Sequence, residues 1–149
     1  MSETALAAAR RAAREHQNHE PLVELVPYAK FLGVRLSLHE GQLRSHLPFR
    51  PGLIGNSAIQ ALHGGVTAAF MENAALLHLL LRLDESRVPK SVDFSIDYLL
   101  PGQALDAFAD CTVSRSGLRV AQVQIRCWQK SEGLPIAIAR AHFLLAAPE

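Results

Sequence analysis

Between Leu62 and Leu83 nearly every position is apolar (LHGGVTAAFMENAALLHLLLRL). The run predicts one long helix, roughly 33 Å at 1.5 Å per residue. A helix apolar on all sides is wrapped by the rest of its fold. Downstream the period falls to two. Val92, Phe94, Ile96 and Tyr98 alternate with Ser91, Asp93, Ser95 and Asp97. Leu105 to Val113, Ala121 to Trp128 and Ile136 to Leu145 repeat the pattern, separated by turn signals at Pro101-Gly102, Ser114–Gly117 and Ser131–Gly133. In the last strand Ala137, Ala139, Ala141 and Phe143 share a face, and small residues there let a helix lie close. Consecutive strands with short turns imply an antiparallel sheet.

Upstream, residues 3–17 are strong helix formers with Ser2 as N-cap, Ala-rich and weakly amphipathic, expected to fray or to be covered by a partner. A short helix is expected at Pro21–Val26, ended by Pro27. Val34, Leu36 and Leu38 alternate with polar residues and return, after a turn at His39–Gln42, as Leu43, Ser45 and Leu47. Pro48–Gln60 and Asp84–Lys90 are expected loops. The sum is an α+β fold, a curved antiparallel sheet around one helix at about 62–83. One domain over residues 1–149 is expected, with a helical extension over about 1–27.

Composition narrows the classes. Hydrophobic content of 49% against 19% charged fits a globular chain rather than a disordered one. The net charge of +1, without a basic block, disfavours nucleic acid as a partner. His63, Glu72, His78 and Arg82 interrupt the one apolar run near the ~18 residues of a membrane span, so no span is expected. Glu3, Arg10, Arg11, Arg14 and Glu15 do not suit a signal peptide. Cys111 and Cys127 lack metal-type spacing, so no metal, cofactor or disulfide is expected, and the cytoplasm is the expected location.

Two features do not suit a plain core helix. It opens on Gly64 and Gly65, each costing about 1 kcal/mol against Ala in a helix interior. Its middle carries Glu72, and a carboxylate in apolar surroundings is costly unless paired or functional. Glycines at a helix start let a ligand approach free N–H groups that carry partial positive charge, where a polarised carbonyl oxygen can be held. Glu72 is a candidate base or nucleophile. Eight residues separate it from Gly64, about 12 Å along a helix axis, so both act on one carbonyl only if they come from two chains of a two-fold dimer. Otherwise the run is a buried helix with a glycine-rich entry and a locally satisfied Glu. Asn56 either bonds substrate or satisfies a turn.

These motifs resemble a known family. Gly55-Asn56, Leu62-His63-Gly64-Gly65, Glu72 nine residues after the His, and Val92-Asp93-Phe94-Ser95-Ile96-Asp97-Tyr98-Leu99-Leu100-Pro101-Gly102 are similar to PaaI-type (phenylacetate-pathway) acyl-CoA thioesterases of the hotdog fold, over roughly residues 25–145. The resemblance implies hydrolysis of an acyl-CoA thioester to an acid and CoA, in a homodimer that some relatives pair into a tetramer. It assigns the Gly64 N–H to polarising the thioester carbonyl and Glu72 of the facing subunit to base or nucleophile. His63 takes a shaping or hydrogen-bonding role. Gly65, Ser57 and Ser91 line the substrate, Ser91 where some members hold the attacking water. CoA is then substrate, not cofactor. Phe70, Met71 and Leu76 are candidates for the acyl pocket, or plain core. The chain departs from the family in three respects, one being Asn56-Ser57 where many members carry Asn-Pro. Many members carry Asn or Gln six residues before the His, where Ser57 stands here with Asn56 one earlier. One branch has a Thr four residues after the acid, where Leu76 stands. Two rivals remain at this point. One is a non-catalytic acyl-CoA-binding module. The other is a hydratase or dehydratase of enoyl or 3-hydroxyacyl thioesters, whose Asp-x-Asn-x-x-His pattern is missing.

Overall fold

A computed structural model describes residues 1–83 and 87–146. The elements run α1 (Glu3–His16), α2 (Glu20–Glu24), α3 (Pro27–Leu32), β1 (Arg35–His39), β2 (Gln42–Leu47), β3 (Ile54–Asn56), β4 (Ala61–Leu62), α4 (Gly64–Arg82), β5 (Val88–Tyr98), β6 (Ala107–Ser116), β7 (Val120–Trp128) and β8 (Ala137–Ala146). Six strands form one antiparallel sheet in the order β1-β2-β6-β7-β8-β5, and β3 pairs β4 beside it. This is the α+β hotdog arrangement that the patterning and the resemblance foresee.

The core lies between α4 and one sheet face. Phe70, Met71, Leu77 and Leu80 bury against Ala107, Ala109, Val123, Ile125, Ala141 and Phe143. The alanines keep the strands low enough for the helix to settle close. The opposite face is polar. There Arg44 forks onto Asp110 at 3.0 and 2.8 Å and stacks over Trp128, and His142 meets Asp93 at 2.9 Å. By length and composition α4 is apolar enough to cross a membrane; half of it is buried inside this fold. Cys111 and Cys127 are free and buried, and burial pushes both thiols up, Cys127 to about 12. They stay protonated and unreactive at neutral pH.

Several expected boundaries move. The central helix starts at Gly64, not Leu62, because the Leu62 N–H is bonded to the Gly102 carbonyl and the His63 N–H to that of Leu53. Those bonds hold 62 and 63 extended, and His63 becomes the N-cap. Pro27 opens a helix instead of ending one, because its fixed φ and missing N–H suit a first position. Gly33, at φ 77, then closes that helix in the left-handed region. The expected loop at 48–60 contains β3, and β6 begins at Ala107 rather than Leu105. Of the expected loop at 84–90, residues 84–86 lie outside the described residues and Val88–Lys90 belong to β5.

The strict alternation read across β5 also fails. Ser91 pairs with Phe143 and Asp93 with His142, so Val92 is an extra residue, a β-bulge. The bulge turns Ser91, not Val92, onto the face shared with Phe94 and the buried Phe143. Val92 is left 61% exposed on a strand whose outer edge has no neighbour in the sheet.

The helix α1 is docked rather than frayed. Leu6, Ala9, Arg10 and Ala13 are buried along one side, and Ser2 caps it as expected. Its arginines close the far end of α4. Arg10, 1% exposed, donates to the Leu80 and Arg87 carbonyls, and Arg14 donates to Leu81 and Leu83. The last carbonyls of a helix have no partner within it and carry partial negative charge, so guanidinium groups there satisfy both needs.

Candidate active site

The start of α4 is built around His63. Its φ of −63° and ψ of 127° end the extended segment, and its Nδ1 accepts the Gly65 N–H at 2.9 Å. Its carbonyl accepts from Val66 and Thr67. The Gly64 N–H, at the first helical position, is left without an acceptor among the described residues. That amide is the open donor of the first turn, and the helix dipole adds positive potential there.

Close approach bears on three glycines, most severely on Gly55. A Cβ on Gly55 would lie 2.6 Å from His63 Cα, one on Gly65 2.9 Å from His63 Nδ1, and one on Gly64 3.3 Å from the Tyr98 ring. Gly55→Ala therefore forces the β3 backbone off His63. It should cost about 1–3 kcal/mol, as overpacking does, read as a lower urea midpoint, with reduced turnover because His63 moves.

Asn56 follows Gly55 and pairs with Ala61 at the open end of β3–β4. Its Oδ1 accepts the Ala58 N–H at 3.1 Å, which satisfies the turn and leaves its amide as the outward group. The Ser57 carbonyl takes Gln60 Nε2 at 2.8 Å, and both residues are exposed. Neither is bonded to His63 or Gly64, so the structure places them beside the site without joining them to it. Ser91 lies seven residues before Tyr98 along the same strand.

Glu72 sits mid-helix and is half-buried, with no hydrogen bond or ion pair among the described residues. Its neighbour Asn73 is satisfied locally, donating to the Ala69 carbonyl at 2.8 Å. Gly65, Ala69, Glu72 and Leu76 follow one another at helical spacing, and each is exposed or half-buried. Phe70, Met71, Ala74, Ala75 and Leu77, on the other sides, are all 0% exposed. Phe70 and Met71 are thus core, while Leu76 shares the open stripe with Glu72. The rise per residue still puts Gly64 and Glu72 about 12 Å apart along the axis. Among the described residues no group of His, Cys, Asp or Glu converges as metal ligands.

One residue of this site carried no signal as such in the sequence. Tyr98, the last residue of β5, reaches back to α4, and its hydroxyl donates to the Gly64 carbonyl at 2.6 Å. With Leu62, Gly64, Thr67 and Leu99 it borders a cleft of 340 Å³ beside the helix start. The alternation of β5 predicts that Tyr98 faces the helix; nothing local predicts the hydrogen bond.

Residues 54–144 match the family model described as the acyl-CoA thioesterase N-terminal domain. The medium/long-chain acyl-CoA thioesterase YigI of Escherichia coli is 31% identical over 141 residues, covering 85% of this chain and 90% of its own. A solved protein from Chromobacterium violaceum is 40% identical with a TM-score of 0.75, covering 94% of this chain and 98% of that one. The Escherichia coli PaaI protein, at 21% identity and a TM-score of 0.72 over 88% and 92%, shares the fold.

Proposed function

We propose, from the premise that this chain belongs to the acyl-CoA thioesterase family and is a thioester hydrolase, that Gly64 and Glu72 act together on the acyl-CoA carbonyl across a two-fold dimer. The observation that carries this is the state of α4. An uncovered stripe of it holds a carboxylate with no partner among the described residues, and its first turn holds an amide with no acceptor among them. Packing that stripe against its two-fold mate would bring each Glu72 toward the other helix's start, which one chain cannot do over about 12 Å. The free outer edge of β5 lies beside α4 and offers backbone pairing to the same second copy.

In this reading the Gly64 N–H polarises the thioester carbonyl and stabilises the oxyanion that forms on it. Glu72 of the other copy takes the proton of an attacking water, or attacks the carbonyl itself and is freed by water in a second step. In either case the C–S bond breaks, CoA leaves as a thiol and the acyl group leaves as a carboxylic acid. His63, its Nδ1 engaged by Gly65, directs Nε2–H outward as a second donor. In the same reading the Asn56 amide aids the carbonyl and Ser91 of β5 helps hold the water. The similarity to YigI favours medium and long acyl chains, and the apolar border of the cleft at Leu62 and Leu99 suits them.

The test is thiol release from acyl-CoAs of graded chain length, with the mass in solution measured alongside. Rising kcat/KM from short to long chains and a mass at least twice 16.3 kDa are expected. Turnover by a 16.3 kDa monomer would end the shared-site scheme. A preference for short or aryl groups would end the chain-length assignment.

A further inference from the structure

Tyr98 is an edge-strand residue that spends its hydroxyl on a helix carbonyl. Packing alone would be served by phenylalanine. The bond at 2.6 Å goes to Gly64, whose missing Cβ lets the phenol lie against the turn; a methyl there would stand 3.3 Å from both Cζ and the hydroxyl oxygen. The strand end is itself fixed, with Tyr98 paired to Ala137 and the Leu99 N–H bonded to the Ile136 carbonyl at 2.9 Å.

The Gly64 carbonyl and the Gly65 N–H are two ends of one planar peptide group. Holding the carbonyl fixes the direction of the N–H, and accepting a hydrogen bond polarises the group so that the N–H donates more strongly. That N–H goes to His63 Nδ1 at 2.9 Å. An imidazole nitrogen that accepts cannot also carry a proton, so neutral His63 holds its proton on Nε2. Hydroxyl, peptide and imidazole form one chain of bonds from β5 to the outward face of His63.

We propose that Tyr98 is a positioning residue for the thioester chemistry: its hydroxyl holds the Gly64–Gly65 peptide and, through it, keeps His63 as the Nε2–H donor beside the open Gly64 amide. The role rests on the site proposed above, but the hydrogen-bond chain can be tested without turnover. Protein labelled with ¹⁵N-histidine, followed to the high-pH limit of the imidazole titration, should show for His63 one protonated and one unprotonated ring nitrogen, the proton on Nε2. In Tyr98→Phe the two His63 nitrogen shifts should move toward each other as tautomers mix. The kcat should fall about tenfold, the scale of one hydrogen bond, with KM within twofold. The thermal midpoint should hold, since the ring remains. Gly64→Ala, which presses a methyl on the phenol while leaving Tyr98 in place, should move the same nitrogen shifts and guards against misfolding of the first variant. Unchanged shifts and kcat within twofold in Tyr98→Phe, or a wild-type proton on Nδ1, would overturn the proposal. Moved shifts in a protein that releases no thiol would keep the hydrogen-bond chain and strip Tyr98 of its role in turnover, the failure then lying with the Glu72 site.

Discussion

Glu72→Gln should cut kcat about a thousandfold while leaving fold and oligomer intact. The substitution keeps size and removes both the base and the nucleophile. Positioned proton transfer is worth about 10²–10⁴-fold. Little stability should be lost, because Glu72 makes no hydrogen bond or ion pair among the described residues. Gly64→Pro is the matching test of the amide. Proline removes that N–H, is favoured at a first helical position, and requires an extended residue before it, which His63 at ψ 127° already is. Its ring carbons must displace the Tyr98 phenol slightly, since a Cβ there comes within 3.3 Å. Loss of one such donor costs about 10²–10³-fold. Mixing the two inactive variants is the decisive arrangement. A mixed dimer gathers both substitutions into one site and leaves the other intact, so subunit exchange should restore about a quarter of wild-type activity. Exchange shown by mass spectrometry without recovery of thiol release would put both groups within one chain and sink the shared site.

Arg10→Ala should lower unfolding free energy by about 3 kcal/mol, the value of one to two hydrogen bonds from a charged group at about 1.5–3 kcal/mol each. The guanidinium is 1% exposed and feeds the carbonyls of Leu80 and Arg87. Urea denaturation reads the effect, with the midpoint falling and the slope unchanged. Arg10→Lys should recover only part of the loss, because a single ammonium cannot fork to two acceptors. Arg14→Ala, whose bonds to Leu81 and Leu83 are exposed, should cost under about 1 kcal/mol. Equal losses at positions 10 and 14 would show that α1 contributes through packing alone.

What the sequence made legible was whatever broke a local rule. Glu72 and two glycines in an apolar run pointed to the helix start and middle before any fold was known. Alternation placed β5 to β8 and the alanine face of β8. Features set by distant partners were not legible. Leu62 looks like the start of the helix until Gly102, forty residues on, claims its N–H. Arg10 reads as one more charge on an Ala-rich helix, and its burial depends on Leu80, 70 residues away. Ser91 and Val92 exchange faces because of a bulge, which period-two patterning cannot register. The hydroxyl of Tyr98 had no local reason to be read as more than the polar tip of a core-facing aromatic.

The strand order has a consequence for how the chain is made. β8 lies between β7 and β5 in the sheet, although it is synthesised after both. Until it emerges, β5 lacks its one neighbour in the sheet, and its eleven residues wait with both edges bare. A nascent strand in that position is a template for the wrong partner, another copy of itself included. Lys90, Asp93 and Asp97 interrupt its apolar positions along the whole wait, and the bulge at Val92 spoils a straight ladder. The charges that decorate the finished surface thus serve first as gatekeepers during synthesis. Neutralising them should raise the insoluble fraction on expression well before it shows in the stability of whatever protein folds.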